Sequence, residues 1–364
     1  MRTRRTRQKG WIGVDLGTCA VKIAQVEKVG PRYCLAAALV VSRPEQEVAG
    51  VEAGLAVAEP VPPGPDLSAW TRRVRPELRW DFAGRHAACV LSLDRAELRP
   101  MNLPPGSPPE RRAMIAAELQ ESYEAPLEGR VFDYWDTRGE ETAPGSHLEN
   151  VNVLCLAEAE AAEAAATLGR LGLRCEVIDG LPTALARAVA MVQPDTTEPV
   201  AAVDWGARNA TLCLVHQGTA VYTRQLRDCG YAALPSAVQR ALGLPAGDAQ
   251  QLLCTYGVVD PSASRDPRSE VQDVLTDIVA EPVAALVAEI QRTLAYPELH
   301  RAALLPSRLW LFGGGATVRN IAAYLRAKIS LPVQPWRLEG PGDRRASEGV
   351  LVGPAAALSA LAWE

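Results

Sequence analysis

Two stretches of the chain carry the same pattern of apolar and polar positions. In Trp11–Lys28, WIGVDLGTCAVKIAQVEK, an apolar run breaks at Asp15, Gly17, Thr18 and Cys19 and then resumes with alternating apolar positions. That pattern predicts a β-hairpin with a tight turn. The frame returns in the second half as AAVDWGARNATLCLV, so that Asp15 and Gly17 correspond to Asp204 and Gly206. A strand–turn–strand unit heading each half-chain predicts two α/β domains of like fold, related by a pseudo-twofold axis and enclosing a cleft.

Further along, RYCLAAALVVS reads as a strand and the Pro-, Gly- and Glu-rich residues 43–66 as a surface connection. HAACVLSL and AELRPMNLP read as paired strands. Ser107 is an N-cap candidate for a helix with prolines in its first turn, and Ile115, Leu119 and Tyr123, four apart, form its apolar stripe. RVFDYWDTR and NVNVLCLAEAE are strands flanking the polar loop GEETAPGSHLE. An Ala-rich helix near 157–171, the strand RCEVIDG and the helix PTALARAVAMV close the first half. After the second hairpin, TAVYTRQLR is a strand, and helices fill 231–300 around the loop DPSASRDPRSE. The chain closes with the strand LWLF, the turn GGG, the helix TVRNIAAYLRAKI, the segment VQPW and an Ala-rich helix.

Composition narrows the function classes. With 364 residues, of which 48% are apolar, the chain is long enough for more than one core. A net charge of −5 gives no general reason to expect nucleic acid. No run approaches the ~20 apolar residues of a membrane span, and the basic start lacks the apolar core of a signal peptide. A cytoplasmic protein is expected. The eight cysteines form no C-x-x-C pair and have no His at ligand spacing, which predicts buried, reduced thiols. The four His residues suggest no catalytic triad.

The chemistry lies in three glycine-containing turns. Gly17 and Gly206 allow close backbone approach, and successive amides at such turns form anion-binding nests. The carboxylates of Asp15 and Asp204 suit a hydrated Mg²⁺ shared between the turns, because magnesium keeps several waters and uses few protein carboxylates. Together they read as a clamp for a Mg–polyphosphate. At the third turn a strand runs into Gly313, Gly314 and Gly315, where a flat ring or a phosphate can lie against the backbone, and the following helix adds its N-terminal partial charge. No G-x-x-x-x-G-K-[ST] occurs, so a P-loop is excluded.

In this order the three motifs resemble the phosphate-one, phosphate-two and adenosine motifs of the actin/Hsp70/sugar-kinase superfamily. Within it, LRPMNLPPGSPPERRAMIAAELQESYEAPLEGRVFDYW, LGRLGLRCEVIDGLPTALARAV and LVAEIQRTLAY resemble the PilM family of type IV pilus assembly proteins, an FtsA-like branch. The resemblance runs along nearly the whole chain. It implies an α/β, actin-like ATPase fold with two pseudo-symmetric domains around a nucleotide cleft and a subdomain of the type called 1C. The implied partition is a basic flexible tail at 1–10, a first nucleotide subdomain from 11–83, 172–200 and 336–364, and the 1C-like insertion at 84–171. A second nucleotide subdomain combines 201–230 with 301–335, and a helical subdomain spans 231–300.

The resemblance also implies ATP and Mg²⁺ as ligands, and a cytoplasmic scaffold bound to the inner membrane through a protein partner, the short N-terminal peptide of a PilN-like membrane protein. Asp15, Gly17, Thr18, Cys19 and Lys22 would serve phosphate one; Asp204, Gly206 and Ala207, with Asn209 as a further donor, phosphate two; and Gly313, Gly314, Gly315 and Ala316 the adenosine turn. Asp15 and Asp204 would hold Mg²⁺ through water. Asp179 matches an acidic position near the cleft, where it either orients water or caps a helix. The helix with Ile115, Leu119 and Tyr123 is a candidate wall of the peptide groove.

Two departures stand out. Relatives place a hydroxyl within the second phosphate turn, where this chain has Arg208, Asn209 and Ala210 before Thr211, which leaves hydrolysis open. The family's late glycine in the adenosine helix is Asn320. Two other functions share the fold: a sugar- or acetate-type kinase, for which no acceptor-site motif is found, and a self-associating FtsA-like filament former, for which the C-terminus lacks a basic amphipathic helix. The basic start (Arg2, Arg4, Arg5, Arg7, Lys9) reads as a solvated extension or as a contact to anionic lipid.

Overall fold

In the computed structural model the described residues are 8–42, 71, 74–76, 78–79, 81–123, 129–137, 150–194, 197–263, 269–300, 304–338 and 349–364. Both repeated patterns form antiparallel hairpins, and each hairpin seeds a sheet. The first sheet contains β1 (Gln8–Lys9), β2 (Ile12–Leu16), β3 (Ala20–Val29), β4 (Arg32–Ser42), β5 (His86–Leu91) and β9 (Arg174–Gly180), and the main order is β4-β3-β2-β5-β9. The second contains β10 (Val200–Trp205), β11 (Ala210–His216), β12 (Thr219–Leu226), β13 (Leu309–Gly313) and β14 (Val333–Pro335), in the order β12-β11-β10-β13-β14. The two orders match strand for strand. So do the registers: Asp15 pairs with Lys22 and Asp204 with Thr211, while the next parallel strand brings Val90 beside Asp15 and Phe312 beside Asp204.

The small domain is an antiparallel sheet of β6 (Glu97–Met101), β8 (Val151–Ala157) and β7 (Arg130–Asp136), covered by α1 (Pro108–Ser122). Ser107 starts α1 through a reciprocal capping box with Glu110, and prolines occupy its first turn. Ile115 and Leu119 are its buried residues, one turn apart.

Three expectations are corrected here. HAACVLSL and AELRPMNLP do not pair: β5 lies between β2 and β9, whereas β6 pairs with β8. All of β5 beyond His86 is buried, as suits a central parallel strand covered on both faces. The small domain is therefore narrower than 84–171: β5 belongs to the first sheet, and α2 (Glu158–Arg170) packs Ala164 and Leu168 into that sheet's core with Val14, Ile23 and Cys89. Finally, the tail expected at 1–10 is not free at its end, since Gln8 and Lys9 pair with Lys28 and Glu27 of β3. The arginines at 2, 4, 5 and 7, the connection at 43–66, the loop GEETAPGSHLE and the middle of DPSASRDPRSE lie outside the described residues.

One core joins the two large domains. α3 (Leu181–Val192) and α8 (Gly353–Ser359) lie between the sheets and bury Leu185, Val189, Ala356 and Leu358 against Val26 and Val90 of one sheet and Ala202, Cys213 and Phe312 of the other. Phe312 stacks on Trp336 at 5.4 Å, and the indole N–H of Trp336 donates to the Ala188 carbonyl at 2.7 Å. Burying side chains of this size is worth about 2 kcal/mol each, so the sheets are held by packing as well as by the chain. On the far face of the second sheet, α4 (Ala233–Leu242), α5 (Ala246–Thr255) and α6 (Ser269–His300) complete a separate core with Trp205, Leu212 and Val283. All eight cysteines are free thiols, with Cys89, Cys155, Cys213 and Cys229 buried.

Candidate functional site

The two D-x-G turns are built alike. A Cβ on Gly17 would lie 2.8 Å from the Ala20 carbonyl oxygen, and one on Gly206 would lie 2.9 Å from that of Asn209. Each turn thus folds back onto the residue three positions on, which only glycine permits. This puts Asp15 and Asp204 at equivalent strand ends, both nearly buried. Gly17, Thr18, Gly206 and Ala207 are half-buried, and Cys19 is exposed.

Lys22 faces Asp15 across the first hairpin, with Nζ 2.8 Å from Oδ2. Burial works against its charge, but Asp15 and then Asp204 outweigh burial and hold the ammonium above the usual lysine range. Burial pushes the Asp204 carboxyl up, Lys22 draws it back, and Asp15 adds repulsion. Asp204 Oδ1 is buried with no hydrogen-bond partner. Two carboxylates, one of them holding an orphaned acceptor, form an oxygen donor set that fits a hydrated divalent cation. Thr211 takes the position in the second hairpin that Lys22 takes in the first.

The side chain of Asn209 is engaged within the fold. Its Nδ2 donates to Asp94 Oδ1 at 2.7 Å, and its Oδ1 accepts the Asp228 N–H at 3.0 Å. Behind the turn, the N–H groups of Tyr231 and Ala232 donate to the carbonyls of Gly206 and Ala207. Arg208 is exposed.

At the third turn the expected helix over 317–329 is corrected. Gly313 has φ 81°, Gly314–Thr317 form a 3₁₀ turn, and α7 (Ile321–Arg326) begins only after Asn320 at φ 64°. Asn320 adopts the left-handed conformation that asparagine tolerates best after glycine, and its Nδ2 donates to the Val258 carbonyl at 3.0 Å. The helix N-terminus is therefore displaced from the glycines. The missing Cβ atoms make room for the protein's own rings: a Cβ on Gly315 would lie 2.1 Å from the Trp205 indole, and one on Gly314 would lie 2.8 Å from the Tyr231 ring. Trp205 and Tyr231 meet edge to face at 6.5 Å. Neither was singled out from the sequence. The signal was Trp205 itself, whose place next to Asp204 on β10 turns it to the opposite face.

Asp179 is engaged at the start of α3. Its Oδ1 accepts from the Gly180 N–H at 2.8 Å and from the Thr183 hydroxyl, and its Oδ2 accepts from Arg187 at 2.7 Å. Of its two expected roles, holding the start of α3 is the one its contacts serve. Arg187 also donates to the Glu364 carboxylate at 2.6 Å and so ties the chain's last residue to α3.

Ile115 and Leu119, expected at the groove wall, face inward. Ile115 and Leu119 are 0% exposed, in a core with Met101, Leu103, Val151 and Val153. Tyr123, partly buried, donates its hydroxyl to Glu97 and stacks Arg99 and Arg130 over its ring. This stripe packs within the small domain. An open pocket of about 630 Å³ lies elsewhere, between the link from β5 to β6, the small sheet and β12. Its charged lining includes Asp94, Arg95, Glu97, Arg130, Arg224 and Arg227. Beside it the small domain docks on β12, where Trp135 and Asn152 both donate to the Ala220 carbonyl. No local sequence period marks this pocket, because its walls come from four separate segments, at 93–98, 130, 155–157 and 223–227.

No protein-family model matches the chain. Among solved structures, the chain is similar to the PilM-PilN type IV pilus biogenesis complex, with 20% identity and a TM-score of 0.74 over 99% of both chains. It is also similar to the ethanolamine utilization protein EutJ from Carboxydothermus hydrogenoformans, at 12% identity and a TM-score of 0.53, covering 97% of this chain and 89% of that one. The paired sheets, the matched D-x-G turns and these likenesses agree, and the chain has the actin-like ATPase fold.

Proposed function

We propose that this protein is a cytoplasmic, PilM-like scaffold of a type IV pilus or related secretion machine, docking the short N-terminal peptide of a PilN-like inner-membrane protein. The observation that carries this reading is the likeness, over 99% of both chains, to the PilM-PilN complex, small domain included. The pocket beside β12 is the surface offered to the peptide. Its lining combines arginines with Leu98 and Leu156, which suits a short segment with backbone carbonyls and small apolar side chains. Among the described residues no helix is long and apolar enough to cross a membrane, so in this reading the attachment runs through the partner.

ATP with Mg²⁺ is the ligand assigned to the cleft. The turns at Gly17–Cys19 and Gly206–Ala207 would offer their amides to phosphates, with Lys22 as counter-charge. Asp15 and Asp204 would hold Mg²⁺ through water, and Gly313–Ala316 would flank the nucleoside. Mg–ATP held by these residues would supply a compact block of charge for the two turns and Lys22 to bind.

Calorimetry of the full chain with synthetic N-terminal peptides of single-span membrane proteins from the same cell tests the proposal. One peptide is expected to bind saturably, and Arg227→Glu to weaken it. If no peptide binds, with or without Mg–ATP, the docking reading is wrong.

A further inference from the structure

The second phosphate turn and the pocket share a carboxylate. Asp94 lies on the link that carries the chain from β5, in the first large domain, to β6, in the small one. Its Oδ1 accepts two amide donors from the other large domain: Asn209 Nδ2, in the phosphate turn, at 2.7 Å, and Gln225 Nε2, on β12, at 2.6 Å. Asn209 is in turn fixed by the Asp228 N–H, which continues the same seam. Asp94 and Gln225 also line the pocket, so one short chain of hydrogen bonds joins turn to pocket wall.

We propose that Asp94 is a latch between the domains, through which a phosphate chain at the second turn sets the shape of the pocket. The proposal rests on reading the cleft as a phosphate site and the pocket as a docking site. Its physical basis is competition. A polyanion brought to the turn repels the Asp94 carboxylate and offers the Asn209 amide a second anionic acceptor. Asp94 then keeps only Gln225, and the link from β5 to β6 is freed from the phosphate turn. A ligand shifts such an equilibrium only through its different affinity for the two states, and the coupling is reciprocal. The peptide that fits the released pocket therefore also favours phosphate in the cleft.

Hydrogen exchange of the full chain tests the latch without any peptide. In the parent protein, Mg–ATP is expected to raise exchange several-fold across residues 92–98 and 219–228. Asp94→Ala should show the raised level without nucleotide and respond no further, and Gln225→Ala should move partway. The latch is overturned if Mg–ATP leaves the parent's exchange unchanged, or if both variants exchange like the parent. In a second arm, peptide affinity is measured with and without Mg–ATP. It is expected to differ about fivefold or more in the parent and to be equal in Asp94→Ala. A protein that binds no peptide yet shows the exchange response refutes the docking reading and leaves the latch standing. One that binds peptide, with exchange and affinity indifferent to Mg–ATP, refutes the latch alone.

Discussion

Lys22 and Asp15 form a buried ion pair across the first hairpin, with 2.8 Å between Nζ and Oδ2, and Asp204 of the opposite domain adds a second carboxylate to the same ammonium's field. The pseudo-symmetry of the fold is broken at this point. Two equivalent strand ends supply two carboxylates, but the paired strands supply one ammonium, at Lys22, and one hydroxyl, at Thr211. The cleft floor is thus held together by charge as well as by the apolar core behind it.

Removing that ammonium should be costly. Lys22→Met leaves two buried carboxylates facing each other, and losing one partner of a buried pair typically costs about 3–5 kcal/mol. Urea unfolding at neutral pH is expected to show a loss of that order, with partial recovery as the pH is lowered and a carboxylate takes up a proton. A change below about 1 kcal/mol would mean that the pair behaves as if solvent-exposed.

Asp204 gives a pH dependence of definite sign. Its folded-state pKa is raised above the ordinary 3.8, with burial as the largest cause. Between those two values the folded chain binds more protons than the unfolded one, so this group's contribution is fully present below the ordinary value and is lost as pH rises through the folded one. Asp204→Asn is expected to flatten that fall. Parallel stability–pH curves for parent and variant would show that the carboxyl titrates normally.

Gly315 is held small by Trp205. A Cβ there would lie 2.1 Å from the indole, inside a core with no slack. Gly315→Ala should cost about 1–3 kcal/mol by overpacking, and Trp205→Leu in the same chain should recover part of the loss by making room. Additive losses in the double variant, measured by thermal or urea unfolding, would show that the two sites do not share the contact.

The stripe on α1 separates a core from a groove. Leu119→Ala and Ile115→Ala each remove a fully buried side chain and should cost about 2–5 kcal/mol, whereas peptide affinity per folded molecule should not change. The reverse pattern, unchanged stability with lost binding, would restore the stripe as a docking wall.

Much of the fold was legible in the sequence because its signals are local. The apolar runs at Ile12–Leu16 and Val200–Trp205, each ending in D-x-G, encode the hairpins directly, and Ser107 with Glu110 marks where α1 begins. The repeat of D-x-G in the two half-chains was enough to imply paired domains and a cleft.

What the tertiary structure alone decided are relations between residues far apart in the chain. HAACVL is apolar enough to pair with either neighbour, and only the gap between β2 and β9 made it a central parallel strand. The spacing of Ile115 and Leu119 fixed that they share a face, but the small sheet decided that this face is covered. Asn209 read as a phosphate donor from its place in the turn, and only the fold showed that Asp94, 115 positions away, accepts from the same amide. Gly314 and Gly315 fit a flat ring from their composition alone, and the rings that arrived were Trp205 and Tyr231. Local patterns fix backbone and periodicity because neighbouring residues set them, whereas the identity of a side chain's partner depends on which surfaces the whole fold brings together.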